Sequence, residues 1–151
     1  MSQAKQTSPS ITAQGLGYGG LVPFVGLALL IEFWPLRQAQ AATALLAYSA
    51  TIASFLGAIH WGLTMRDPQS QNPRMLAWGV VPSLVAWVAL MLPPSYGLLL
   101  IAFLLWACLA FDRVVYTGLS LRAWLPMRLL LTTIASLSCI ASALVLMGGA
   151  Q

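Results

Sequence analysis

Five long apolar stretches, divided by short polar punctuation, make up most of this chain. They cover about 16–34, 43–65, 75–92, 96–111 and 127–147. Each stretch is continuously apolar rather than alternating, so the pattern predicts helices and not barrel strands. Lengths of about 17–23 residues suit a ~30 Å hydrocarbon core at ~1.5 Å rise per residue. Pro35 closes the first stretch, Pro93-Pro94 stops the third, and Gly148-Gly149 follows the fifth. The connection Pro93-Pro94-Ser95 is so short that the helices it joins must be antiparallel neighbours. The expected fold is all-α, a polytopic integral membrane protein built as a bundle of five transmembrane helices. Residues 1–14 are polar and rich in Ser, Thr and Gln, and they read as a disordered cytoplasmic tail. A single transmembrane domain over 15–149 follows it.

Composition settles the solvent. The chain is 60% hydrophobic and 7% charged, whereas a soluble domain carries about 25% charged residues. A water-soluble fold of this length has too much exposed area to hide that apolar surface. Charge then orients the bundle. Lys5, Arg66, Arg74, Arg113, Arg122 and Arg128 fall on the side of the N-terminal tail, and Arg37 alone falls on the other. The positive-inside rule puts the N-terminus in the cytoplasm and the C-terminus outside. No clustered basic face exists, so nucleic acid is not an expected partner. Trp34, Trp61, Trp78, Trp124, Tyr96 and Tyr116 lie near segment ends, where an interfacial belt is expected. Ala39-Gln40-Ala41 has the spacing of a signal-peptidase site, but the apolar run is too long and Glu32, Pro35 and Arg37 intervene. Cys108 and Cys139 differ in depth by roughly 10 Å, beyond the ~7 Å Cα limit of a disulfide. Both are expected to be free thiols.

Candidate chemistry is sparse. His60 is the only histidine. It sits roughly 9 Å inside the cytoplasmic end of the second segment. An ionisable group at that depth costs a few kcal/mol unless it is neutral or paired. The plain reading is a neutral imidazole bonded between helices; the functional one is proton handling or ligand binding. One histidine cannot supply both axial ligands of a bis-histidine haem within one chain, so that a dimer or a His/Met pair would be needed; no metal and no cofactor are expected. Asp112 and Arg113 end the fourth segment, and Arg128 begins the fifth on the same side. His60, Asp112 and Arg128 therefore form the candidate intramembrane polar site, in the cytoplasmic leaflet. It is either an ordinary ion pair at helix ends or a site for an anionic head group or a proton. Glu32 lies in the opposite leaflet and cannot share it. One histidine and three acids lack the clusters that membrane-embedded catalysts need, so no catalytic residue is expected and the chain reads as a non-enzyme.

Small residues supply the remaining signal. Gly15 and Gly19 are spaced for close helix approach. Ala50, Ser54, Gly57 and Ala58 fall on or beside one face of the second segment. Both sets are expected helix-packing positions, which would make the second segment central. Pro23 and Pro82 are expected helix kinks. The glycines of Gly15-Leu-Gly17-Tyr-Gly19-Gly20 are not a dinucleotide fingerprint, since no strand precedes them and no acidic residue follows at the right distance.

Tyr18-Gly-Gly-Leu-Val-Pro-Phe24, Tyr48 through Gly62, Val81-Pro-Ser-Leu-Val-Ala-Trp87 and Arg128-Leu-Leu-Leu-Thr132 together resemble a family of small multi-span proteins. That family occurs in proteobacterial inner membranes, with relatives in mitochondria, and its function is unknown. The resemblance spans about 16–146 and is most specific at Phe55-Leu-Gly-Ala-Ile-His60-Trp61-Gly62. It implies a multi-pass protein of the bacterial inner membrane and carries no activity with it. The expected role is a non-enzymatic accessory or assembly protein acting through helix contacts within the membrane. Its partners would be lipids and other membrane proteins, or further copies of itself. The alternative is a small transporter or channel subunit with a lipid-, quinone- or proton-linked polar site.

Overall fold

The computed structural model describes residues 8–66, 73–118 and 121–149. Six helices follow in order: α1 (Ile11–Gly19), α2 (Leu21–Phe33), α3 (Gln38–Arg66), α4 (Pro73–Leu90), α5 (Pro94–Gly118) and α6 (Leu125–Gly148). Short 3-10 turns at Pro35–Arg37 and Arg122–Trp124 lead into α3 and α6. No strand occurs among the described residues. With α1 and α2 taken as one span, five helical units are long and apolar enough to cross a membrane.

The helices extend beyond the apolar runs in three places. Helix α1 begins at Ile11, where Ser10 caps it by accepting the Ala13 N–H at 3.2 Å. The expected polar tail therefore loses its last residues to a helix, while residues 1–7 lie outside the described part. Helix α3 starts at Gln38, through Ala39-Gln40-Ala41, because these residues are good helix formers whatever their polarity. Helix α5 continues past Asp112 and Arg113 to Gly118. Backbone hydrogen bonding does not stop where hydropathy falls, so Asp112 lies within a helix rather than at its end.

The first span is broken at Gly20, between α1 and α2. Pro23 falls in the first turn of α2, where a missing N–H is tolerated. The interruption expected at Pro23 thus lies three residues earlier, and the Tyr48 hydroxyl donates to the Gly20 carbonyl at 2.8 Å. Pro82 is buried inside α4, and the helix runs through it without interruption.

Helix α3 is central and packs against α2, α4, α5 and α6. Helix α1 touches α2 and α6 but not α3. Small residues set the closest approaches. A Cβ added to Gly57 would stand 2.5 Å from the Gly79 carbonyl oxygen, which seals α3 against α4. A Cβ on Gly97 would stand 2.6 Å from the Ala89 carbonyl oxygen, at the tight α4–α5 turn. Ala50 is buried and Ser54 half-buried, whereas Ala58 is exposed. Gly15 and Gly19 have open space around them within this chain. The glycine of α1 that packs is Gly17, against Met127 of α6. The expected aromatic belt is also incomplete. Trp34 and Tyr96 face outward, but Tyr116 is buried and Trp78 stacks on Phe111 with ring centroids 4.6 Å apart. Cys108 and Cys139 are free and buried.

Candidate functional site

The structure brings His60, Asp112 and Arg128 into one buried cluster. His60 lies on α3 just short of its Arg66 end, Asp112 on α5, and Arg128 in the first turn of α6. Their exposures are 1%, 2% and 9%. One Asp112 oxygen, Oδ1, is 3.0 Å from His60 Nε2. The other, Oδ2, accepts from Arg128 Nε at 2.8 Å and also from Arg128 Nη2. A single carboxylate thus joins three helices, and its charge cancels that of the guanidinium. Arg128 keeps Nη1 without a partner among the described residues.

The carboxylate accepts only, so the imidazole donates from Nε2, a tautomer assigned by the hydrogen-bond network. His60 Nδ1 is then left buried with no partner. The imidazole ring stands edge-on to Phe111 at 5.0 Å, and Thr64 Oγ1 donates to the His60 carbonyl at 2.9 Å. Trp61, next in sequence, points the other way and donates from Nε1 to the Leu76 carbonyl at 3.0 Å, tying α3 to α4. Phe111 and Thr64, which sequence reasoning does not single out, touch the histidine, and Trp78 backs Phe111.

Beside the cluster lies a cavity of about 620 Å³ lined by residues of α1, α2, α3, α5 and α6. It occupies the gap that separates α1 from α3. Its walls are apolar, with Leu21, Phe24, Phe55, Ile59 and Leu131 prominent among them. Polar groups gather at one end, where Arg66, Arg128, Tyr116 and Trp124 line it. Thr132 lines it one turn beyond Arg128. The volume falls within the ~300–1,000 Å³ typical of small-ligand sites, and so does the pairing of an apolar wall with a few polar groups. Asp112 and His60 do not reach the cavity; Arg128 is the member of the cluster that does.

Thr132 could have been found from sequence, since its i+4 spacing from Arg128 puts both on one helix face. The cavity itself could not, because it depends on which helices touch. Glu32 is exposed at the opposite end of the bundle, apart from the cluster. Among the described residues no group of three His, Cys, Asp or Glu side chains is placed to hold a metal ion.

Comparison with known proteins gives this architecture a family. Residues 9–144 match the family described as "Protein of unknown function (DUF3429)", and the chain belongs to it. Over 78 residues the chain is 38% identical to Transmembrane protein 69 of Xenopus tropicalis. That alignment covers 50% of this chain and 31% of the frog protein, so the chain spans about a third of the length of the curated relative it matches. No solved structure matches.

Proposed function

We propose that this member of the DUF3429 family is a non-enzymatic binding protein of the bacterial inner membrane that holds an amphiphile within one leaflet. The observation that carries this reading is the apolar cavity whose polar end is built on Arg128 of a buried ion cluster. Buried charges inside a membrane are costly, and they are retained where they serve a site or a contact. Here the cluster fixes a guanidinium at the cavity wall, with Asp112 holding Nε and Nη2 and leaving Nη1 available. Such a protein would serve as a carrier or as a subunit of a transport system.

The test is purification in a mild detergent, followed by extraction and mass spectrometry of what the protein retains. One amphiphile per chain is expected. Ala135→Phe, which fills the deep end of the cavity, should release it while helical content and elution volume stay unchanged. A folded parent protein free of stoichiometric amphiphile would sink the proposal.

A second reading, an accessory or assembly protein working through helix contacts, is favoured by one observation. Gly15 and Gly19 face outward with open space around them, as a surface awaiting another helix would. Enlarging either to Leu should then disrupt a membrane complex seen on native gels without unfolding the chain.

The orientation follows from the arginines. A periplasmic reporter fused after Gln151 should be active, and the same reporter inserted within 67–73 should be silent. The reverse pattern would turn the bundle over and place the cavity in the outer leaflet.

A further inference from the structure

We propose that the head group held in this cavity is anionic, a phosphate or carboxylate, carried on an apolar chain that enters sideways between α1 and α3. The inference rests on the amphiphile reading above and adds the chemistry of the guest. Three independent observations lead to it.

The first is charge. Two arginines, Arg66 and Arg128, line the cavity, and among the described residues no acidic side chain does. Asp112 takes Nε and Nη2 of Arg128, which leaves Nη1 as the guanidinium nitrogen it does not bond. Arg66 is exposed at the end of α3 and adds a second cation. The N-terminus of α6, with Trp124, Met127 and Arg128 on the cavity wall, contributes further positive potential.

The second is Thr132. Its hydroxyl is buried at 3% exposure and has no hydrogen-bond partner. A threonine inside a helix ordinarily returns its hydroxyl to a carbonyl one turn back. Neighbouring Thr133 does so, donating to the Leu129 carbonyl at 2.8 Å, but Thr132 does not. Thr132 lines the cavity ~6 Å beyond Arg128, one turn along α6.

The third is length. On α3 the lining runs from Arg66 to Ile52, about 21 Å at ~1.5 Å per residue. That is more than half the ~30 Å hydrocarbon thickness, so the cavity spans one leaflet from its polar edge to past the midplane. A lipid chain lying along the membrane normal fits this shape, with its charge at the arginines and its tail against Phe55 and Ile52. Helices α1 and α3 make no contact with each other, and the proposed path of the chain runs between them.

The experiment is native mass spectrometry of the full chain in neutral detergent. It is titrated in separate runs with dioleoyl phosphatidylglycerol, oleate, dioleoyl phosphatidylcholine and inorganic phosphate. One equivalent of phosphatidylglycerol or oleate should bind at least tenfold more tightly than phosphatidylcholine, and inorganic phosphate should not bind. The double variant Arg66→Gln/Thr132→Val touches neither Asp112 nor His60, and it should abolish that preference while the protein stays helical and monodisperse. Equal binding of phosphatidylcholine would overturn the anionic head group while keeping the amphiphile site. Binding of inorganic phosphate alone would overturn the requirement for a chain. No binding of any probe by a folded protein would overturn this inference and the amphiphile site together. An unchanged preference in the double variant would remove Arg66 and Thr132 from the site and overturn the assignment.

Discussion

Replacing Asp112 with Ala is expected to lower the stability of the bundle by about 3–5 kcal/mol, the usual loss when one partner of a buried ion pair is removed. Arg128 would be left as an uncompensated cation at 9% exposure, and His60 Nε2 would lose its acceptor. Both effects act on α3, α5 and α6 at once, because the carboxylate is the point where the three helices meet. Thermal unfolding in detergent, followed by circular dichroism, would show a large fall in midpoint. The double variant Asp112→Leu/Arg128→Leu should recover most of the loss, since an apolar pair of similar volume removes the desolvation cost of both charges. If Asp112→Ala alone unfolds within about 0.5 kcal/mol of the parent, Arg128 must escape to the interface by stretching its stem. The cluster would then not hold the bundle together.

Gly57→Leu should also destabilise the bundle, by less, and for a reason of shape rather than charge. Even a Cβ at this position would lie 2.5 Å from the Gly79 carbonyl oxygen and 3.3 Å from Pro82 Cδ. The first of these is backbone, so no rotamer change relieves the clash, and α3 and α4 must separate. Overpacking of a tight core costs about 1–3 kcal/mol. The separation would also strain the Trp61–Leu76 hydrogen bond close by. Gly15→Leu and Gly19→Leu are the controls: with nothing within 4 Å of either Cβ position, their effect on the stability of the single chain should stay within about 0.5 kcal/mol. A Gly57→Leu protein as stable as those controls would mean that the α3–α4 seam yields easily.

These two sites also mark how far the sequence can be read. The number of spans was legible because hydropathy reports the solvent directly, and the short Pro93-Pro94-Ser95 connection showed one neighbour pair. The small-residue face of α3 was legible at Gly57 and Ala50, where the chain packs on itself, but the same spacing at Gly15 and Gly19 points outward. Spacing alone does not say which side of a helix has a neighbour. Asp112 was placed at a helix end because charge usually ends an apolar run. The structure carries α5 on to Gly118, which puts that carboxylate within reach of both His60 and Arg128. Meeting of the three residues required the order of helices around the bundle, which four short connections do not specify. The cavity is a void between elements, and no residue pattern records a void.

The placement of Asp112 and Arg128 on successive helices bears on how the chain enters the membrane. Either helix alone would carry a formal charge into hydrocarbon, at a cost of about 2.5–3.5 kcal/mol at the centre of a span. The two residues are 16 apart in sequence and bond directly to each other across the α5–α6 hairpin. The α5–α6 hairpin therefore carries its own counter-charge, so that it presents a neutral pair to hydrocarbon rather than two separate ions. His60, on α3, offers the carboxylate its remaining contact. The hairpin is thus a charge-balanced unit that meets α3 through a single further polar contact, Asp112 Oδ1 with His60 Nε2.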